Sequence, residues 1–228
     1  MLTSCTPVPP QGDAGVRTRV QGATSFGKEN ACVSEPARRA FSILCVCTGN
    51  VCRSPAAERL LQRALGPAVD VRSAGTHALV GRPVDPEVAA LLTRVGADPT
   101  GFAARELTAR DASAADLVLA MTREHRSAVV EVAPGSVRRT FTLRELARIL
   151  SALDPTEVPA TDVGDRLPAA VALAAGRRRR SSPAEDDVPD PYRGSPQLHE
   201  RAFGQIRAAV EQVAGLVAGG SGPGQPLG

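Results

Sequence analysis

The chain has 228 residues, 43% hydrophobic and 22% charged, which suits one globular domain with loose flanking segments and excludes a wholly disordered polypeptide. Its net charge of +3 is too small to imply nucleic-acid binding, and no stretch approaches the roughly 18 apolar residues of a membrane span. Five cysteines, an odd number with Cys45, Cys47 and Cys52 crowded together, exclude a secreted disulfide framework; with no export signal read at the N-terminus, they point to the cytoplasm.

Residues 1–40, rich in Pro, Gly, Ser and Thr without any sustained period, read as a disordered leader. Phe41 to Cys47 is a short apolar, β-branched run, the signature of a buried parallel strand. Ser54 and Pro55 read as the N-cap and first position of a helix whose inward face is Ala57, Leu60, Leu61, Ala64 and Leu65, and Gly66-Pro67 stop it. Val69 to Ala74 is a second strand. Asp85-Pro86 cap a helix with Val88, Leu91, Leu92 and Val95 on one face, ended by Gly96.

Asp116 to Met121 is a third strand, Thr122 to Val132 a helix, and Val137 to Phe141 a fourth strand. Thr142 and Glu145 form a capping box for a helix that turns Leu143, Leu146, Ala147 and Leu150 inward. Strand and helix alternating in this way give an α/β fold, a parallel sheet covered by helices on both faces. Between Ser151 and Asp187 the pattern lapses, which predicts an inserted loop or short irregular helix, with Arg177 to Arg180 as a solvated charge run in preference to a kinase target at Ser181-Ser182. Ser195-Pro196 open a last helix with Ala202, Ile206, Ala209, Val213 and Leu216 inward, so the domain spans residues 41–218 and a disordered tail follows over 219–228.

The chemistry concentrates in Cys47-Thr-Gly-Asn-Val-Cys-Arg-Ser-Pro55, between the first strand and the first helix. In an open parallel sheet ligands bind beyond the carboxyl ends of the strands, where this loop lies. Its backbone amides, joined by those of the helix start, can wrap a tetrahedral anion, and Arg53 can add a planar fork of donors. Gly49 and Asn50 are the residue types that tolerate the positive φ of such a turn. Cys47 then lies in a positive field, and such fields lower a thiol pKa from about 8.5 to roughly 3.5–7.5.

This string resembles the phosphate-binding loop of the low-molecular-weight protein tyrosine phosphatases, bacterial type, and the resemblance spans roughly Phe41 to Val217, interrupted by the 151–187 insertion. It implies a three-layer fold with a four-stranded parallel sheet, a cysteinyl-phosphate intermediate, a phosphoprotein substrate, and neither metal nor cofactor. By position, Cys47 is the implied nucleophile and Arg53 the oxyanion clamp, within a loop of Thr48, Gly49, Asn50, Val51, Cys52 and Ser54. Ser54 is expected to donate a hydrogen bond to the sulfur, Asn50 to fix the loop, and Ser73 to support Asn50. Cys52 matches a neighbour able to form a reversible disulfide with Cys47, while Cys45 reads as part of the strand.

The resemblance also implies a general acid in an Asp-Pro-aromatic loop before the last helix, and Asp190-Pro191-Tyr192 stands there. Asp85, Asp98 and Asp154 also precede prolines; Asp85 reads as a helix cap and Asp98 as a turn, and no aromatic follows Asp154. Asp186 and Asp187 are expected to raise the pKa of Asp190. Tyr192 would form one wall for an aryl ring. Family members often supply an opposing tryptophan; here His77-Ala-Leu79 offers Leu79 at best.

Phosphotyrosine hydrolysis is therefore the expected activity. A protein arginine phosphatase of the same fold carries Thr where Val51 stands, an arsenate reductase needs two further cysteines that do not follow Cys52, and a non-catalytic phosphate-binding module would not keep Cys47, Arg53 and Asp190 together. His77, His125 and His199 show no ligand-like spacing, so no metal is expected.

Overall fold

In the computed structural model, which describes residues 39–158, 163–179 and 182–217, Phe41–Cys47 forms the central strand β1. β1 pairs in parallel with β2 (Val69–Gly75) on one side and with β3 (Leu117–Ala120) on the other, and β3 pairs with β4 (Thr140–Thr142). The order β2-β1-β3-β4 gives the expected four-stranded parallel sheet. The chain leaves β1 toward one edge and returns from β2 to the other side of β1. That reversal opens a crevice at the carboxyl end of β1, where open α/β sheets bind ligands.

Side-chain alternation along β1 divides the core. Ile43, Cys45 and Cys47 join the larger cluster with Leu60 and Leu61 of α1 (Arg53–Leu65), Leu146 of α5 (Leu143–Ser151) and Ile206 of α8 (Pro196–Val217). Leu44 and Val46 join a smaller cluster with Ala112 of α3 (Ala109–Ala114) and Val129 of α4 (Arg123–Val132). From Ile43 to Cys47 the strand is buried on both faces and must be apolar, which is why those five residues read as an unbroken run.

Local capping chemistry fixes most boundaries. Asp85 accepts the Glu87 amide at 3.1 Å to open α2 (Pro86–Arg94), and Thr142 and Glu145 exchange bonds at the start of α5. Two expectations shift. The fourth strand begins at Thr140, because Pro134–Arg139 winds as 3-10 turns. α1 begins at Arg53 with Cys52 at the N-cap and no side-chain cap, so Ser54 is a first-turn residue whose hydroxyl serves another purpose.

The largest difference lies between Ser151 and Asp187. This segment carries a regular 14-residue helix, α6 (Val163–Gly176), and a four-residue turn, α7 (Pro183–Asp186), where a loop or short irregular helix was expected. Leu167, Ala170, Val171 and Ala174 are buried at helical spacing, but Ala169 to Ala175 is apolar all round and Pro168 interrupts the pattern, so the face has little contrast in sequence. Nor is the arginine run simply solvated: Arg177 pairs with Glu157, and the Arg178 guanidinium lies 3.9 Å from the centroid of the Phe141 ring. Arg180 and Ser181, the expected tail, and all but the last two residues of the expected leader lie outside the described residues. Among the described residues no helix is long and apolar enough to cross a membrane.

Candidate active site

Cys47 ends β1 directly beside Gly75 of β2. The segment after β2 clasps the loop that follows Cys47: Thr76 N donates to Cys47 O at 2.9 Å, His77 N to Thr48 O at 3.0 Å and Leu79 N to Gly49 O at 3.0 Å. This approach requires glycine at 75, where a Cβ would stand 2.4 Å from the Thr48 carbonyl oxygen. Asp85 N binds Val51 O at 2.9 Å and ties the loop to the start of α2.

Within the loop, Asn50 alone takes a left-handed backbone, φ 53°, and it is fully buried. Gly49 does not share that conformation, contrary to expectation, and a side chain there would make ordinary contacts with Val51 and Leu79. Asn50 Oδ1 accepts the Arg105 amide at 2.8 Å, while Nδ2 donates to Ser73 Oγ at 2.8 Å and Ser54 Oγ at 2.9 Å. Ser73 passes its own hydrogen to Glu58 Oε2 at 2.5 Å. Burial raises the Glu58 carboxyl above its ordinary range, against the bond from Ser73 and the charges of Arg59 and Arg105.

The same network reaches the sulfur. Ser54 Oγ accepts from Asn50 and lies 2.9 Å from Cys47 Sγ, within reach to donate its own hydrogen to the sulfur. Arg53 is 5% exposed; Nη2 donates to Asp190 Oδ2 at 2.7 Å, and its Nε is buried with no hydrogen-bond partner among the described residues. That idle donor is the kind of group a bound oxyanion satisfies.

Asp190 reaches the site on a loop anchored by Val188 N to Met121 O at 2.9 Å, at the end of β3. Its Oδ1 accepts the Tyr192 amide at 3.2 Å, an Asx turn that places the aromatic ring beside it. Asp190 and Tyr192, the Cys47–Arg53 loop, and His77 and Leu79 line a pocket of about 140 Å³. Asp186 is wholly buried and pairs with Arg148 at 3.1 Å, and Asp187 accepts the Arg123 amide at 2.8 Å. Asp154 is outside the pocket, in a turn where the amide and hydroxyl of Thr156 hold its carboxyl below the usual range.

The three clustered cysteines differ. Cys45 is wholly buried in β1 and its thiol is pushed up by burial. Cys52 lines the pocket, and burial, with the charges of Asp85, Cys47 and Asp190, pushes its thiol up as well. Both remain thiols at neutral pH.

The low molecular weight phosphotyrosine protein phosphatase family model matches residues 42–158. The chain is also 34% identical over 173 residues to the low molecular weight protein-tyrosine-phosphatase Etp of Escherichia coli K12, covering 76% of this chain and 92% of Etp. The chain belongs to this family. Among solved structures, Vibrio vulnificus Wzb in complex with benzylphosphonate aligns with TM-score 0.56 at 28% identity, covering 76% of this chain and 97% of that one. The YwlE arginine phosphatase from Geobacillus stearothermophilus aligns with TM-score 0.57 at 27% identity, covering 76% and 90%.

In this family member, the residues singled out in sequence (Cys47, Arg53, Ser54, Asn50, Ser73, Asp190, Tyr192 and Leu79) converge on one crevice, and three supporting residues were not legible. Glu58 and Arg105 reach the loop only through Ser73 and Asn50. His125, 5% exposed, receives or gives a hydrogen bond with Thr48 Oγ1 at 2.8 Å through Nε2 and with Thr122 Oγ1 at 2.8 Å through Nδ1. Burial and the neighbouring Arg53 guanidinium pull its pKa down to about 4, so it stays neutral near pH 7. A single histidine far along the chain carries no spacing signal for that position.

Proposed function

We propose that this chain is a protein-tyrosine phosphatase that hydrolyses aryl phosphate monoesters on phosphoproteins through a cysteinyl-phosphate intermediate, in the cytoplasm. The reading is carried by the meeting of a sulfur nucleophile, a buried guanidinium and a carboxyl group around one small pocket: Cys47, Arg53 and Asp190. Family membership and relatives named as protein-tyrosine phosphatases, such as Etp, support it.

Phosphate monoesters are among the slowest substrates in water, with enzymatic accelerations of up to ~10²¹. In the first step Cys47 Sγ attacks phosphorus and the P–O bond to the phenol breaks, while Asp190 protonates the departing oxygen. Arg53 and the loop amides grip the non-bridging oxygens as charge redistributes over them. In the second step Asp190, now a carboxylate, takes a proton from the water that attacks phosphorus and breaks the S–P bond. The Ser54 hydroxyl, donating to sulfur, stabilises it both before attack and as it departs.

Tyr192 and Leu79 at the rim, each more than a third exposed, suit an aryl leaving group. Val51 supports the phosphotyrosine assignment over phosphoarginine because it offers the guanidinium no hydroxyl. Hydrolysis of p-nitrophenyl phosphate by the parent, Cys47→Ser, Asp190→Ala and Asp154→Ala tests the roles, and paired phosphotyrosine and phosphoarginine peptides test the substrate. The reading requires no turnover by Cys47→Ser, parent-like turnover by Asp154→Ala, and preference for phosphotyrosine. Turnover by Cys47→Ser would remove the mechanism, and preference for phosphoarginine would reassign the substrate.

A further inference from the structure

Behind the loop, His199 sits in the first turn of α8 with only 4% of its side chain exposed. Its two ring nitrogens have different fates. Nδ1 lies 3.1 Å from the Ser195 carbonyl oxygen, which can only accept, so Nδ1 carries the hydrogen. Nε2 of the neutral ring therefore presents a lone pair, and among the described residues it has no hydrogen-bond partner. It is directed at Asp85 Oδ1, 3.5 Å away, and the donor atoms of Cys52, Asp85 and His199 all lie within 4.8 Å of one another. A histidine held by a carbonyl through one nitrogen, with the other offered to a thiol and a carboxylate, has the outer-shell support typical of metal-binding histidines.

We propose that Cys52, Asp85 and His199 form a binding site for one divalent transition-metal ion of the zinc type, with solvent as the fourth ligand. The donor set decides the metal class. One sulfur, one imidazole nitrogen and one carboxylate oxygen suit zinc or cobalt and not magnesium or calcium, which take oxygen ligands. Zinc-ligand bonds of about 2.0–2.3 Å place tetrahedral donors roughly 3.2–3.8 Å apart. Side-chain rotation of Cys52 and Asp85 closes the remaining gap. Binding forms bonds from Sγ, Nε2 and a carboxylate oxygen to the ion and breaks the Cys52 S–H bond. The proton leaves to solvent, and no oxidant or reductant takes part.

The three ligands come from the loop, the start of α2 and the start of α8, so a bound ion would fasten the loop to both helices. Cys52 also lines the catalytic pocket, but none of the proposed bonds involves Cys47. The competing account of the same atoms is an ion pair between Asp85 and a protonated His199, which needs no metal.

The test uses the full chain carrying Cys47→Ser, so that the pocket thiol cannot act as a ligand, and titrates it with Co²⁺ alone. The expected result is one ion per chain with a thiolate-to-cobalt charge-transfer band and the intense visible bands of a four-coordinate ion, displaced by Zn²⁺. Adding His199→Phe or Asp85→Asn should weaken binding at least tenfold; asparagine retains the cap of α2, and circular dichroism verifies folding. Absence of the charge-transfer band in the Cys47→Ser chain would overturn the site, leaving the ion pair only. A band of unchanged affinity in either added variant would also overturn it, by assigning the thiolate to other cysteines.

Discussion

Arg53 Nη2 and Asp190 Oδ2 stand 2.7 Å apart although 137 residues separate them in the chain. The guanidinium is 5% exposed and the carboxylate 52% exposed, so the pair is anchored on the arginine side and free to part on the aspartate side. If an incoming phosphoryl oxygen takes the same guanidinium nitrogen, substrate and Asp190 compete for it, while the idle Nε stays open to the anion. A half-exposed ion pair of this kind is worth about 0–1 kcal/mol. Asp190→Ala should therefore lower kcat by about 10²–10⁴, the usual span for loss of a general acid. The same variant should bind inorganic phosphate as tightly as the parent or up to about fivefold tighter. Steady-state kinetics with phosphate as competitive inhibitor measures both quantities, and weaker phosphate binding would contradict the competition.

Ser73 joins Asn50 to Glu58 in a buried chain, with bonds of 2.8 and 2.5 Å. Ser73→Ala leaves a buried amide donor and a buried carboxyl without their shared partner, each a loss of about 1–3 kcal/mol. The variant should lose at least about 1 kcal/mol in urea unfolding and a larger fraction of kcat than of substrate affinity, since Asn50 also orients the Ser54 hydroxyl toward Cys47.

Gly75 is required by contact and not by backbone angle. A Cβ there meets the Thr48 carbonyl oxygen at 2.4 Å and the Asn50 Cβ at 3.0 Å. Gly75→Ala must push the loop off β2 and should abolish most activity. Gly135→Ala, where an added Cβ meets nothing within 4 Å, should leave activity at the parent level. Parallel assays of the two variants, each with a thermal melt, check the contrast.

His125 makes stability depend on pH in a defined direction. Its pKa is about 4 in the folded chain against 6.5 for the free side chain, so as pH falls below 6.5 the unfolded chain takes up a proton that the folded chain refuses. The contribution is complete above that pH and is lost progressively down to about 4, amounting to about 2–3 kcal/mol by pH 4.5. His125→Gln removes this loss. Urea unfolding at pH 7 and pH 4.5 should show the parent losing about 2–3 kcal/mol more than the variant.

Sequence patterning conveyed the sheet and the loop because both depend on short-range signals. Ile43 to Cys47 of β1 is an uninterrupted apolar run, and Asp85, Thr142 and Glu145 cap helices within three residues of themselves. α6 was hidden because alanine on every side of a helix erases the contrast between its faces. Ser54 reads as a cap because the same hydroxyl can serve an amide or a sulfur, but the helix starts one residue earlier and leaves the hydroxyl 2.9 Å from Cys47 Sγ. Glu58, His125 and His199 acquire their roles through partners 15 to 147 residues away, such as Ser73, Thr48 and Cys52, and no local pattern encodes such meetings.

The most direct measurement is a rapid acid quench of the Asp190→Ala chain turning over an aryl phosphate, followed by peptide mass spectrometry. The account predicts a phosphoryl group on Cys47 sulfur, absent from the Cys47→Ser control. A quenched, active enzyme with no phosphorylated Cys47, or with the phosphoryl group on another residue, would contradict it.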